Sequence, residues 1–267
     1  MGHISFFQSS AMKKHHHHQI IEKELGITGD YQYQALNEGN FLQSNWHANK
    51  LQIVDYLLAK YQPKSVLDLG AGSGNLEFTF ASKVKKIVAV DYNDDAVDFL
   101  KKRIKQLKIK NVAVQQANLS DTKKIGALGK FDLIIMVDVL EHLELRISDK
   151  LISTFKKILN PDGVVVIITP NYHSAWPLLE KFVDRFTSIP DLGHCQHISL
   201  FTPQNITPPF IKKGFYCVRL STFNTFSFLF PWKRISIFIA RLELQLPFHW
   251  GNLLLAEFKN HPIGKLK

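Results

Sequence analysis

A doubly wound α/β fold, built on a mostly parallel sheet, is what the sequence predicts. Three observations carry that expectation. Short apolar runs rich in β-branched residues alternate with helical patterns, as in a parallel sheet covered on both faces. The stretch "VLDLGAGSGNLE" places glycines 70, 72 and 74 between the first such run and a helical pattern. The last third then changes to two strand-like runs flanking an aromatic-rich stretch. Together these imply seven strands, mostly parallel, with an antiparallel C-terminal edge strand.

The elements follow in order. Residues 1–44 form an N-terminal extension, expected to be partly disordered or helical, and the tag-like run His15–His18 is set aside from the fold. A main domain over residues 45–267 opens with "ANKLQIVDYLLAKY", which aligns Leu51, Val54, Leu58 and Tyr61 on one helical face before Pro63. "SVLDLG" is a short buried strand and "NLEFTFASK" the helix after the glycine turn. "KIVAVD" is the second strand, "NVAVQQANL" the third, and "FDLIIMVDVL" begins as the fourth. Asn160-Pro161-Asp162-Gly163 reads as a turn and "VVVIITP" as the fifth strand. "GFYCVRLSTF" and "GNLLLAEFKN" are the last two, separated by an insert at about residues 223–250.

Composition narrows the function classes. Two cysteines, Cys195 and Cys217, make no disulfide framework, and a reducing cytoplasmic setting is expected. No uncharged apolar run reaches the roughly 18 residues of a spanning helix. The formal net charge of +10 points to an anionic partner. Part of it is local, however: in "KKRIKQLKIK" the bases separate Leu100, Ile104 and Leu107, which recur at helical spacing, so they read as a solvated face.

The glycine turn excludes two familiar ligand classes. Its spacing is G-x-G-x-G, and Asn75 stands where the dinucleotide fingerprint requires a third glycine, which argues against a nicotinamide-dependent oxidoreductase. No Gly-Lys-Ser/Thr follows, so it is not a phosphate-binding P-loop. In doubly wound sheets ligands bind beyond the carboxyl ends of the strands, which points to the region from Asp68 to Asn75 and to Asp91, Asn118, Asp138 and Pro170. A carboxylate at Asp91 suits a ribose diol, Tyr92 offers a flat face to a purine, and the Asn118 amide can pair with an adenine edge. Gly70, Gly72 and Gly74 leave room for an amino-acid tail. Adenosine joined to an amino acid describes S-adenosylmethionine.

On these residues the chain resembles the class I S-adenosylmethionine-dependent methyltransferases. "LDLGAGSGN", "VAVDYN", "FDLIIMVDVLEHL", "PDGVVVIITPN" and "KKGFYCV" fall in that family's order over residues 46–260. The resemblance implies a Rossmann-like fold, with Asp68, Gly70, Gly72 and Gly74 around the methionine part of the cofactor. It further implies Asp91 on the ribose, Tyr92, Asn118 and Leu119 at adenine, and Asp138 on the sulfonium side.

"DVLEHL" bears on the methyl acceptor. Asp138, Glu141 and His142 lie at i, i+3 and i+4, so a helix starting here places all three on one face. Such a set suits Mg²⁺ or Mn²⁺, which would lower the pKa of an acceptor hydroxyl. Alternatively His142 acts as a metal-free general base with Glu141 beside it, or both residues only brace the loop. The segment resembles the E-x-x-E-H of ubiquinone-biosynthesis O-methyltransferases, with Asp138 in place of the first Glu. It also resembles that of small-RNA 3′-terminal 2′-O-methyltransferases, whose later histidine would correspond to His173, His194 or His197.

The insert completes the picture. Ile235, Ile237, Phe238, Ile239 and Leu242 form a broad apolar face flanked by Lys233, Arg234 and Arg241. Such a helix can cover the core as a lid, roof an apolar pocket, or lie in a membrane interface. The expectation is therefore O-methylation of a hydroxyl on a small or lipid-like acceptor, by a cytoplasmic protein with peripheral membrane contact. RNA 2′-O-methylation and a catalytically silent scaffold are the alternatives.

Overall fold

The computed structural model describes residues 28–186 and 197–260. Cys195, His194 and His15–His18 lie outside the described residues. A seven-stranded sheet in the order β3-β2-β1-β4-β5-β7-β6 forms its centre. Strands β1 (Ser65–Leu69), β2 (Lys86–Asp91), β4 (Phe131–Val137) and β5 (Leu159–Pro170) are almost continuously buried, as central parallel strands are. Successive residues face opposite sides: Leu67 and Ile134 enter one core, Val66 and Leu133 the other. Strand β3 (Val112–Gln116) is one edge and β6 (Phe215–Phe223) the other. The C-terminal strand β7 (Leu253–Asn260) runs antiparallel to both β5 and β6. It lies between them, so the antiparallel strand is one place in from the edge.

Two local expectations need correcting. The Asn160–Gly163 turn lies inside β5, where Phe131 pairs with Leu159 and Leu133 with Val164, so four residues oppose Asp132. The Asp132 carboxylate holds this irregularity by accepting from Asn160 Nδ2 at 2.7 Å and from the Lys64 and Ser65 N–H groups. Leu107 does not extend the apolar face of its helix, which ends at Gln106, and it is left exposed while Leu100 and Ile104 are buried. Of the readings open for the insert, a core-covering role for Phe238 and Leu242 is ruled out: the helix over Lys233–Glu243 buries Ser236, Ala240 and Glu243 and turns those two outward.

Two N-terminal helices position the site. Helix α1 (Tyr31–Asn37) sits over the glycine turn: Asn75 Nδ2 donates to the Gln32 carbonyl at 2.9 Å and Ser73 Oγ to that of Gly29 at 2.9 Å. Helix α2 (Phe41–Tyr61) is capped by Asn40, whose side chain accepts from the Gln43 N–H. Its apolar face is Ile53, Val54, Leu57 and Leu58, with Leu51 and Tyr61 at the margin. Its first half instead buries Asn45, Asn49 and Lys50, an arrangement that needs polar partners.

Candidate active site

The glycine turn joins β1 to helix α3 (Asn75–Phe80). Gly70, Gly72 and Gly74 have φ of +83°, +51° and +83°, the left-handed region that glycine enters without penalty. A second constraint comes from the protein itself. A Cβ at Gly70 would stand 2.2 Å from Val139 Cγ2, at Gly72 2.2 Å from Gln32 Oε1, and at Gly74 2.2 Å from Leu100 Cδ1. The tight approach expected of a ligand is thus already made by the chain's own side chains.

Asp68 near the end of β1 and Glu77 in α3 are both buried and lie close together. Burial, then repulsion from Asp91, pushes the Asp68 carboxyl up to about 7. Burial and the neighbouring Asp68 raise Glu77 well above the usual carboxylate range. Asp91 ends β2 beneath the turn, its Oδ2 accepting from the Gly72 N–H at 2.7 Å and its Oδ1 from the Asn93 N–H at 2.9 Å. Tyr92 is half-buried beside it. Beyond β3, Asn118 Oδ1 accepts from the Ser120 N–H at 2.8 Å, and Leu119 is buried. These residues line up along the carboxyl ends of β1, β2 and β3, where the topology places a ligand.

Beyond β4 the chain departs from the expected helix. Asp138 adopts φ +54°, and only Leu140–His142 coil, as a short 3₁₀ turn. Asp138, Glu141 and His142 therefore do not share a helical face. Asp138 instead forms an ion pair with the buried Lys50 of α2. Although burial opposes it, Lys50 keeps the Asp138 carboxyl below its usual range. His47, half-buried nearby, is pushed down to about 3 by burial and then by Lys50, so it is neutral. A cleft between α2 and the glycine turn is lined by His47, Lys50, Asp68, Gly70 and Asp138.

The group that does converge is Glu141, His142 and His197, whose ligand atoms all lie within 4.8 Å of one another. His197 takes the place expected of Asp138. The segment after it is strapped onto the 3₁₀ turn: the N–H groups of Ile198 and Ser199 both donate to the Glu141 carbonyl, and Ser199 Oγ to that of Leu143. Glu141 is fully buried; its Oε2 accepts from Thr169 Oγ1 at 2.8 Å, while its Oε1 has no hydrogen-bond partner among the described residues. Burial, then Asp138, pushes this carboxyl up to about 7. His197 Nδ1 lies 2.6 Å from Glu180 Oε1, and the Tyr172 hydroxyl donates to the same oxygen at 2.9 Å. This fixes the ring with Nε2 as its other polar atom. Burial opposes protonation of His197, but the Glu180 hydrogen bond and the facing carboxylates raise its pKa. His173 is exposed and stays outside the group.

Sequence reasoning missed Lys50, His47, Tyr172 and Glu180. Lys50 carried one readable signal, a lysine on the inward face of an amphipathic helix. Glu180 carried none, because its role depends on helix α7 (Trp176–Phe186) meeting a segment 17 residues downstream.

A family described as a methyltransferase domain matches residues 42–220. Among curated proteins, an uncharacterized protein of Rickettsia prowazekii is 32% identical over 104 residues, spanning 38% of this chain and 41% of that protein. A ubiquinone biosynthesis O-methyltransferase of Psychrobacter arcticus is 25% identical over 205 residues, spanning 68% of this chain and 74% of the relative. The chain thus spans less than half of the first relative's length and about three quarters of the second's. In overall shape it is similar to magnesium protoporphyrin IX methyltransferase from Synechocystis, solved with bound S-adenosylhomocysteine. The TM-score is 0.62 at 17% identity, over 91% of this chain and 99% of that one, a likeness of fold.

Proposed function

The chain belongs to this methyltransferase domain family, and from that premise we propose that it transfers the methyl group of S-adenosylmethionine to a hydroxyl on a small or lipid-like acceptor. One observation carries the reading: Asp138 lines the cleft together with Asp68 and Gly70, and it also lies close enough to Glu141 and His142 to interact with their charges. In this reading a cofactor site and an acceptor site meet at the end of β4.

In this reading Asp91 receives the ribose diol, with Tyr92, Asn118 and Leu119 bordering adenine. Asp68, Gly70, Gly72 and Gly74 surround the methionine part. Asp138 faces the sulfonium, and its pairing with Lys50 keeps the lysine charge from repelling the bound cation. The acceptor oxygen attacks the methyl carbon in line with the departing sulfur; the new C–O bond forms as C–S breaks, and S-adenosylhomocysteine leaves. Alignment and exclusion of water carry most of that step.

The acceptor proton falls to the Glu141–His142–His197 group. Two imidazoles, one held by Glu180, and a carboxylate with an unpartnered buried oxygen fit a divalent cation, with Mn²⁺ suiting the nitrogen donors better than Mg²⁺. Bound there, a cation would supply Lewis-acid activation of the acceptor hydroxyl. Without a cation, His142 is the group that accepts the proton.

The test is acceptor discovery with methyl-labelled S-adenosylmethionine. Purified protein is incubated with a cell extract separated into organic-soluble, aqueous small-molecule and RNA fractions. Label in the organic or small-molecule fraction, lost in Asp91→Ala, is expected. Label in RNA alone would overturn the acceptor class, and no labelled product would overturn the activity.

A further inference from the structure

The segment between β6 and β7 is built inside out. Its helix, α9 (Lys233–Glu243), turns its polar stripe toward the protein and its apolar stripe toward solvent. Inside, Ser236 exchanges hydrogen bonds with Asn49 of α2, and Asn49 also donates to Asn224 Oδ1 at 2.8 Å. Glu243 accepts from the N–H groups of Thr225, Phe226 and Ser227. Asn45 ties down the neighbouring turn through the Phe230 carbonyl at 2.6 Å. These buried contacts set the helix rotation and explain why α2 carries Asn45 and Asn49 at inward positions.

Among the described residues, nothing covers the outward side. Phe238, Trp232, Phe226 and Trp250 are each more than 60% exposed, and Ile235 and Leu242 continue the stripe along the helix. A polar lining with an apolar exterior is the reverse of an ordinary surface helix, and a contiguous apolar face of this kind marks a docking surface. Charge identifies the occupant. From Asn224 to Trp250 the only carboxylate is Glu243, and it is buried, whereas Lys233, Arg234 and Arg241 are exposed. Exposed tryptophans among lysine and arginine suit the headgroup level of a lipid leaflet. No helix among the described residues is long and apolar enough to cross a membrane.

We propose that this face docks the protein on an anionic bilayer, with α9 lying in the interface and Trp232, Phe238 and Trp250 entering it. The inference does not depend on the methyl-transfer reading. It does bear on it through one chain of contacts: Phe228 packs edge-on against Trp46, Trp46 stacks on Trp176 at 5.1 Å, and Trp176 lies 6.4 Å from His197. A run of packed rings therefore links the segment that carries the docking face to the acceptor side of the site.

The test uses the full chain with vesicles of phosphatidylcholine alone or with one quarter phosphatidylglycerol. Wild type should sediment with the anionic vesicles, and brominated acyl chains should quench its tryptophan emission. Trp232→Ser with Phe238→Ser should weaken partitioning at least about tenfold, from the lost apolar insertion. Arg234→Gln with Arg241→Gln should weaken it about 25-fold, at roughly fivefold for each basic residue. Unchanged thermal melting and cofactor affinity would show that both variants fold. Wild type remaining in the supernatant, or binding unaffected by the aromatic changes, would overturn the proposal. So would a stable dimer in velocity sedimentation that buries Trp232 and Trp250.

Discussion

Lys50 of α2 and Asp138 beyond β4, 88 positions apart, form an ion pair in the lining of the cleft. Lys50 is nearly inaccessible, and the Asp138 carboxylate offsets the cost of burying it.

Asp138→Asn should therefore destabilise the protein by about 3 kcal/mol, the lower end for breaking a buried pair because Asp138 is partly exposed. Lys50→Met combined with Asp138→Asn should recover most of that loss. Urea denaturation of the three proteins measures it; a double variant no more stable than Asp138→Asn would contradict the pairing.

Stability of the ligand-free protein should fall as pH rises through neutrality. Asp68 and Glu77 have raised folded-state pKa values, so the folded chain holds protons that the unfolded chain has already lost. Their contribution is full below about pH 4 and is lost as pH rises, through about 7 for Asp68, by up to about 1.4 kcal/mol per pH unit for each proton. Glu77→Gln should flatten this slope and raise stability at pH 8. Equal slopes for the two proteins between pH 5 and 8 would show that the pair does not share a buried proton.

Chelation separates the two ways of handling the acceptor proton. A cation held by Glu141, His142 and His197 makes turnover fall with a chelator and return with Mn²⁺, and makes Glu180→Gln weaken metal affinity by about 10- to 100-fold. If chelation changes nothing while His142→Ala lowers turnover by about 10²- to 10⁴-fold, the imidazole acts alone. Full activity under both treatments would leave the group a structural brace.

Salt dependence tests the RNA alternative. A surface contacting phosphates loses affinity steeply with salt, whereas a small or lipid-like acceptor predicts a turnover that varies little between about 50 and 200 mM salt for a soluble analogue.

The parallel core was legible because its strands are short, β-branched and separated by helical periods. Leu67, Val88, Ile134 and Val165 needed nothing but burial to be placed. The glycine positions were legible for the same local reason, a turn requiring positive φ. What the sequence concealed depends on contacts between distant segments. His197 joins Glu141 only because its strand of loop folds back on the 3₁₀ turn, and Asp138 leaves that group because Lys50 claims it. The orientation of helix α9 stayed open for a related reason. Its apolar residues outnumber its polar ones, and only the buried Asn49 and Asn224 reveal that the polar stripe faces inward.

Calorimetry of S-adenosylmethionine binding to wild type and Asp91→Ala tests the central claim most directly. Wild type should bind with micromolar-scale affinity. Loss of the Asp91 carboxylate should weaken binding by roughly 2 to 3 kcal/mol, the range for a hydrogen bond to a charged group. No binding heat from wild type, or equal affinity for the two proteins, would contradict the placement of the cofactor at the ends of β1 and β2.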